Sequence, residues 1–487
     1  MNKVGIDDMA VYVPKIFLDI GELAKNRGIE KEKLQRGLGL EKMALPDTYE
    51  DAATMGANAV LSLMQKNSLK PQDLGRIYLG TESALDGAKP TSTYILHMLI
   101  DFYAPEFGED CFNQCDVVDM TFACIGGVDA LHNTLDWVGS ESGKVGIVVT
   151  ADFAKYDLHS SGEYTQGAGA IALLIKQNPR LISIDETWGI ATKPVHDFFK
   201  PRRVKSKFKL FKESLELVGI ESQKIDEIWN SLDNLSKQKY LGVDEDNIAI
   251  FKETPVFDGH YSNDCYKNRI NEAYKNFQKK NPKFSLENWD FLAFHLPYAF
   301  HGKRIFTEIF IQYLLGTNQM IPFLKENHLP VDVHDYDSPE FVKSIYKSKG
   351  YKAFTDEKMR YASKASSEVG NMYACSIFLS LASIIVCSEE SGMDLQGKKI
   401  GFIAYGSGSK SKVFSGTIGK NWRQVSRNIQ LFEQLQKRKG LSYETYEALH
   451  REQFNTVVNK PVNCFVRKEI FTEKGVREGM RVYGFEE

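Results

Sequence analysis

Seven cysteines, at positions 111, 115, 124, 265, 375, 387 and 464, give this 487-residue chain an odd number and no CxxC pair. Cys111 and Cys115 have a loose metal-ligand spacing, but no second Cys or His pair completes a zinc site, and no bound metal is expected. A reducing, cytoplasmic setting fits this usage best. Positive charge is in no excess either. With 61 Lys and Arg against 64 Asp and Glu, the net charge of −3 leaves nothing to neutralise a phosphate backbone, and a nucleic-acid partner is not expected. The amino terminus lacks a basic start and an apolar core, carrying Asp7 and Asp8 among scattered apolar residues, so export is not expected. An unbroken membrane-length run is missing as well. Residues 372–387 carry no charge but are interrupted by Ser376, Ser380 and Ser383, and they fall short of the roughly 20 residues a bilayer needs. They read as a buried core helix.

What the chain does have is length for a large core or two substantial domains, and an alternation of apolar strands with helical patterns. Strands are predicted at 77–80, 145–150, 170–175, 291–294 and 400–404, and helices at 52–65, 92–102 and 370–387. That order predicts α/β layers with sheets covered on both faces. A faint internal echo accompanies it. Thr81-Glu82 follows its strand much as His295 follows 291–294, and glycine-marked segments, Gly167-Ala168-Gly169 and Gly406-Ser407-Gly408, come late in each half. Residues 202–254 break the rhythm. Phe208, Phe211, Leu215 and Val218 make one helical stripe and Ile225, Ile228, Trp229, Leu232 and Leu235 another, which predicts an exposed helical hairpin, either a plain surface insertion or a lid.

Chemistry first shows in Asp119-Met120-Thr121-Phe122-Ala123-Cys124-Ile125-Gly126-Gly127. Val117 and Val118 read as a buried strand, and Val128, Leu131, Leu135 and Val138 recur at helical spacing. Cys124 therefore falls just ahead of a helix, whose unpaired N–H groups and positive end favour a thiolate. Gly126 and Gly127 are expected to admit a substrate close to the backbone. A small buried hydrophobe is the plain alternative for a lone cysteine.

Further motifs follow in order: Thr81-Glu82-Ser83-Ala84-Leu85-Asp86, Asp152 to Tyr156, Thr165-Gln166-Gly167-Ala168-Gly169, His196-Asp197-Phe198, Phe294-His295-Leu296-Pro297-Tyr298, Gly370-Asn371 and Tyr405-Gly406-Ser407-Gly408-Ser409. In these residues and their order the chain resembles the 3-hydroxy-3-methylglutaryl-CoA synthases of the thiolase superfamily. The resemblance implies a thiolase-like fold with two related halves in a layered α-β-α-β-α arrangement. The first, 1–178, carries the Glu and Cys. The second, 179–487, carries the His, the helical insertion at about 202–254 and an extension after about 420.

It further implies an acyltransferase of the mevalonate pathway of isoprenoid biosynthesis, a homodimer that condenses acetyl-CoA with acetoacetyl-CoA and needs no cofactor. Cys124 is the implied acetyl acceptor, Glu82 the general base at the acetyl methyl, and His295 the group that polarises the acetoacetyl ketone. Tyr156, Thr165, Phe198 and Asn371 are implied around the acyl groups, Ser407 at an oxyanion-binding turn, and Lys303 beside coenzyme A. Phe300 departs from this pattern, standing where the family commonly has a lysine. The alternatives are a β-branching synthase of polyketide biosynthesis acting on a carrier protein, a noncatalytic scaffold of the same fold, and a cysteine hydrolase using Cys124 and His295.

Overall fold

The computed structural model describes residues 3–141, 143–242, 246–251, 253–473 and 475–487. Apolar segments such as Gly146–Phe153 and Ala168–Gln177 are buried along nearly their whole length, as strands covered on both faces must be. In the first half, Asp116–Met120, Arg76–Gly80 and Gly146–Phe153 run parallel, Ala168–Gln177 lies antiparallel to the last, and Val4–Tyr12 antiparallel to that. The second half repeats the directions. Phe291–Phe294 is parallel to Lys399–Gly406, which is antiparallel to Lys410–Ile418, itself antiparallel to Gly189–Thr192. The faint echo in the sequence is thus a repeated strand plan. The short strand Ile182–Ile184 pairs with both Val4–Tyr12 and Lys410–Ile418 and joins the halves into one hydrogen-bonded path.

Helices Gly126–Gly139 and Ser376–Glu390 fill the middle layer, in one apolar core with strands of both halves. Ala52–Lys66 covers the first half from outside and Gly259–Lys280 the second, completing the α-β-α-β-α layers. Among the described residues one helical stretch, Tyr373–Glu390, is long and apolar enough to cross a membrane, and 89% of it is buried inside the protein, as a core helix should be.

The helix predicted from 370 begins later. Gly370, at φ +90°, caps helix Lys349–Val369, and its backbone runs so close to the Gln166 carbonyl oxygen that a Cβ there would meet it at 2.0 Å. Asn371 therefore stands in a loop, ahead of a short turn at Tyr373–Cys375 and the helix from Ser376.

The insertion also differs from a plain helical hairpin. Its stalk is an antiparallel ribbon, Arg202–Ser206 with Asn247–Phe251, and the helices Lys207–Leu217 and Ser222–Ser231 sit on top, with Phe208 and Phe211 packed against Trp229. The stalk's root is clamped. Lys155 Nζ contacts Glu253 at 2.9 Å and Glu452 at 3.0 Å, and the Thr254 hydroxyl donates to Asp157 at 2.7 Å. The carboxy-terminal extension is part of the body: Asn58 exchanges two hydrogen bonds with the Phe465 main chain, and Phe465 and Phe485 pack on Phe102.

Candidate active site

Strand ends from both halves meet where the central layer begins. After strand Asp116–Met120 the chain turns through Ala123, held at φ 41°, a region that costs a residue with a Cβ about 1 kcal/mol or more. The turn aims Cys124 at the end of the neighbouring strand Arg76–Gly80, where its Sγ–H donates to Glu82 Oε1 at 2.7 Å. The Glu82 loop is pinned by Asp152. Its Oδ1 accepts from the Glu82 N–H at 2.8 Å and from the Thr81 and Ser83 hydroxyls at 2.9 and 3.0 Å, while Oδ2 accepts from the Ala374 N–H of the other half at 3.0 Å.

These contacts revise the expected electrostatics. Burial pushes the Cys124 thiol well above its ordinary value, and the Glu82 carboxylate beside it adds to the rise. The helix end does not prevail, and the cysteine rests as a thiol with a carboxylate as its proton acceptor. Glu82 is itself raised to about 7, chiefly by desolvation, with Lys200 opposing and Asp152 adding. The glycines also act differently from expectation. A Cβ on Gly126 would meet the Met120 carbonyl oxygen at 2.4 Å and one on Gly127 the Thr150 methyl at 2.3 Å. They admit the protein's own strands rather than a substrate.

Tyr156 and Phe198 gather with Cys124, Ala154, Tyr373 and Phe257 in one apolar cluster, with the Phe198 and Tyr373 rings 5.9 Å apart. Asn371 stands beside it, its Oδ1 accepting from the Tyr373 N–H at 2.9 Å. Thr165 accepts at its carbonyl from the Asn371 N–H at 2.8 Å but turns its hydroxyl to Gly162 at 2.7 Å. It shapes the wall rather than presenting a free hydroxyl. The Ser407 turn abuts the cysteine loop, since a Cβ on Gly406 would meet Phe122 O at 2.7 Å and Ile125 N at 2.8 Å. Asp197, whose role the sequence did not reveal, holds that turn by accepting from the Tyr405 hydroxyl at 2.5 Å and the Gly408 N–H at 2.7 Å.

His295 follows strand Phe291–Phe294 and is 3% exposed. Desolvation lowers it to about 3, against a hydrogen bond with the Tyr373 main chain, so the ring is neutral at ordinary pH. The serines that interrupt the apolar helix hold its neighbours: Ser376 Oγ accepts from the Leu296 N–H at 2.7 Å, and Ser380 Oγ donates to the Phe294 carbonyl at 3.1 Å. Lys303 lies apart, its ammonium 5.1 Å from the Phe300 ring centroid, beside a small cavity lined by Leu292, Phe294 and Met359. Phe300 has a packing reason for its place. Its ring lies over Gly39, where a Cβ would approach it to 2.7 Å.

A cavity of about 790 Å³ reaches Glu82, with Lys155, Lys200, Arg467, Lys468 and Arg481 among its walls. Phe251 and Glu253 at the insertion's root also line it, whereas none of the described lining residues comes from the helical tip. Replacing the tip between Ser206 and Asn247 with a short turn should leave turnover within about twofold. Steady-state kinetics of the shortened protein checks this, and a tenfold loss would give the tip a part in catalysis.

A duplicated, layered α/β fold with Glu and Cys after two adjacent strands of one half, and His after a strand of the other half beside the Tyr373 that packs with Cys124, defines an acyltransferase of thiolase-like fold. Residues 1–179 match the family described as hydroxymethylglutaryl-coenzyme A synthase N terminal, and 247–470 match hydroxymethylglutaryl-coenzyme A synthase C terminal. The chain belongs to the hydroxymethylglutaryl-CoA synthase family, with most of the insertion falling between the two matches. It is 27% identical over 465 residues to the hydroxymethylglutaryl-CoA synthase of Haloferax volcanii, covering 92% of each chain. With hydroxymethylglutaryl-CoA synthase A of Dictyostelium discoideum it shares 28% over 461 residues, 91% of this chain and 82% of that one. A solved structure of MvaS in complex with 3-hydroxy-3-methylglutaryl coenzyme A is similar over the whole of both chains, at TM-score 0.76 and 25% identity.

Proposed function

We propose that the chain condenses acetyl-CoA with acetoacetyl-CoA through an acetyl-Cys124 thioester, as a step of the mevalonate route to isoprenoids. The thiol–carboxylate pair of Cys124 and Glu82 carries this reading. Cys124 attacks the acetyl carbonyl; its proton passes through Glu82 to the departing coenzyme A sulfur. The freed carboxylate then takes a proton from the acetyl methyl, and the carbanion attacks the ketone carbon of acetoacetyl-CoA. Neutral His295 polarises that ketone, and the resulting alkoxide takes up the proton that Glu82 removed from the methyl, which returns Glu82 to its carboxylate as the new carbon–carbon bond is completed. Main-chain N–H groups at Cys124 and Ser407 steady the thioester oxygen. Water finally cleaves the Cys124 thioester, regenerating the thiol and leaving a carboxylate on 3-hydroxy-3-methylglutaryl-CoA. Side chains and substrate thioesters suffice for each step, so no cofactor is assigned.

Tyr156, Phe198 and Asn371 enclose the acyl groups in this reading and Thr165 shapes their wall, while Lys303, apart from the cavity that reaches Glu82, keeps a role as charge toward coenzyme A on the family resemblance alone. The halves are assigned to 1–178 and 179–487. A homodimer is assigned on the edge strand Asp116–Met120, whose outer side has no partner strand among the described residues and which carries half-buried Val117, Val118 and Met120. The free cysteines support a cytoplasmic setting. Phe300 favours a second reading, in which a carrier protein delivers the acetyl group.

The test supplies purified protein with acetoacetyl-CoA and either acetyl-CoA or an acetylated carrier protein, and identifies the product by mass spectrometry. Product from acetyl-CoA supports the first reading; product from the carrier alone selects the second. Cys124→Ser should lower turnover by about 10³-fold or more and leave no stable adduct, as expected for loss of a thiol nucleophile. Intact-mass measurement after acetyl-CoA addition checks it, and an adduct in the variant would move the nucleophile elsewhere.

A further inference from the structure

Lys200 lies between Phe199 and the insertion's first strand, and its ammonium points inward. Its Nζ donates to the Glu82 carbonyl oxygen at 3.1 Å, lies 5.1 Å from the Tyr373 ring centroid, and borders the cavity that reaches Glu82. Asp152 from strand Gly146–Phe153, the Cys124 thiol from the central helix's entry, Asp197 from the segment before Phe198 and the Tyr156 and Tyr373 hydroxyls also act on Glu82 or feel it, while Lys155, Arg467, Lys468 and Arg481 line the cavity that reaches it. Lys200 is a cation that acts on Glu82, Cys124 and Asp152 alike, in each case toward the charged form. Neighbouring carboxylates with no cation between them hold on to a proton, and a protonated Glu82 cannot take one from a methyl group.

We propose that Lys200 is a positioning residue for the condensation, fastening the Glu82 main chain and supplying the positive charge that keeps its carboxylate available as a base. This rests on Glu82 being that base. The need is greatest when the acetyl methyl loses its proton, because the developing carbanion adds negative charge to an already acidic site. The placement also gives the insertion's root a link to catalysis that its tip lacks. The stalk, clamped through Lys155 to Glu253 and Glu452, fixes where Lys200 emerges.

The experiment follows condensation against pH in pre-acetylated wild type, Lys200→Gln, Lys200→Met and Lys200→Arg. Gln keeps a donor for the Glu82 carbonyl without the charge, and Met removes both. In K200Q and K200M the acid limb should move up by about one pH unit, the size of effect a nearby opposite charge has on a carboxyl. Condensation below the limb should then slow about tenfold while acetyl-Cys124 still forms. Lys200→Arg should keep the wild-type limb. A limb at its wild-type position in K200Q overturns the proposal whatever happens to the plateau, and K200Q decides alone if K200M does not fold. Wild type that forms no acetyl-Cys124, or whose condensation has no acid limb, overturns the assignment of Glu82 as base and this proposal with it.

Discussion

Glutamine at position 82 should leave a protein that still acquires an acetyl group on Cys124 but condenses it about 10³-fold more slowly, within the 10² to 10⁴ a positioned general base contributes. Acetylation itself should slow by about tenfold, because the carboxylate also accepts the Cys124 thiol proton. Single-turnover kinetics that separate adduct formation from its consumption check both numbers, and condensation within tenfold of wild type would remove Glu82 as the base. The pH dependence follows from the same group. Glu82 is raised to about 7, so condensation in the wild type should climb about tenfold per unit up to pH 7 and level off above it. Stability runs the other way. A carboxyl whose folded value lies above its unfolded one binds more protons when folded, so stability falls as pH rises from about 4.5 to 7 and stays reduced beyond. E82Q should therefore melt at a higher temperature than wild type at pH 8, with little difference at pH 4.5.

His295→Ala should give the second large effect. Acetyl-Cys124 should form at nearly the wild-type rate while condensation falls about 10² to 10³-fold, the usual loss when one preorganised hydrogen bond to a developing oxyanion is removed. Because burial holds His295 near 3, the wild-type profile should show no imidazole limb near 6.5. Rapid-quench measurement of adduct and product in H295A decides the matter, and unchanged use of acetoacetyl-CoA would exclude the polarising role.

The proposed reactive residues were legible through the ordered motifs that carry the family resemblance, since the thiol, the carboxylate and the imidazole each read alone as an ordinary buried or surface side chain. Cys124, Glu82 and His295 could be named from the chain alone, and the repeated strand plan left a readable trace at Glu82 and His295. The supports were harder to read. Asp152 and Asp197 matter through main-chain contacts to Ala374 and Gly408, more than 200 positions away, and no periodicity reports such a pairing. Ser376 and Ser380 registered as breaks in an apolar run, although their hydroxyls bond the main chain on both sides of His295. The ionisation of Cys124 differs from what its helix-end position alone predicts, for a physical reason. A helix end favours an anion only where burial and a nearby carboxylate do not outweigh it, and at Cys124 burial does so chiefly, with Glu82 adding to it. The insertion's stripes gave its helices, while its short ribbon stalk, with mostly exposed side chains, lacked the alternation that marks a half-buried strand.

The central claim is that Cys124 carries the acetyl group between the two substrates. The most direct measurement adds acetyl-CoA alone to the purified protein, maps the adduct by peptide mass spectrometry, and then chases with acetoacetyl-CoA while free thiol and product are followed. An acetyl group on the Cys124 peptide that disappears as 3-hydroxy-3-methylglutaryl-CoA forms is the predicted result. Product formation with Cys124 unmodified throughout, or an adduct on another of the seven cysteines, would contradict it.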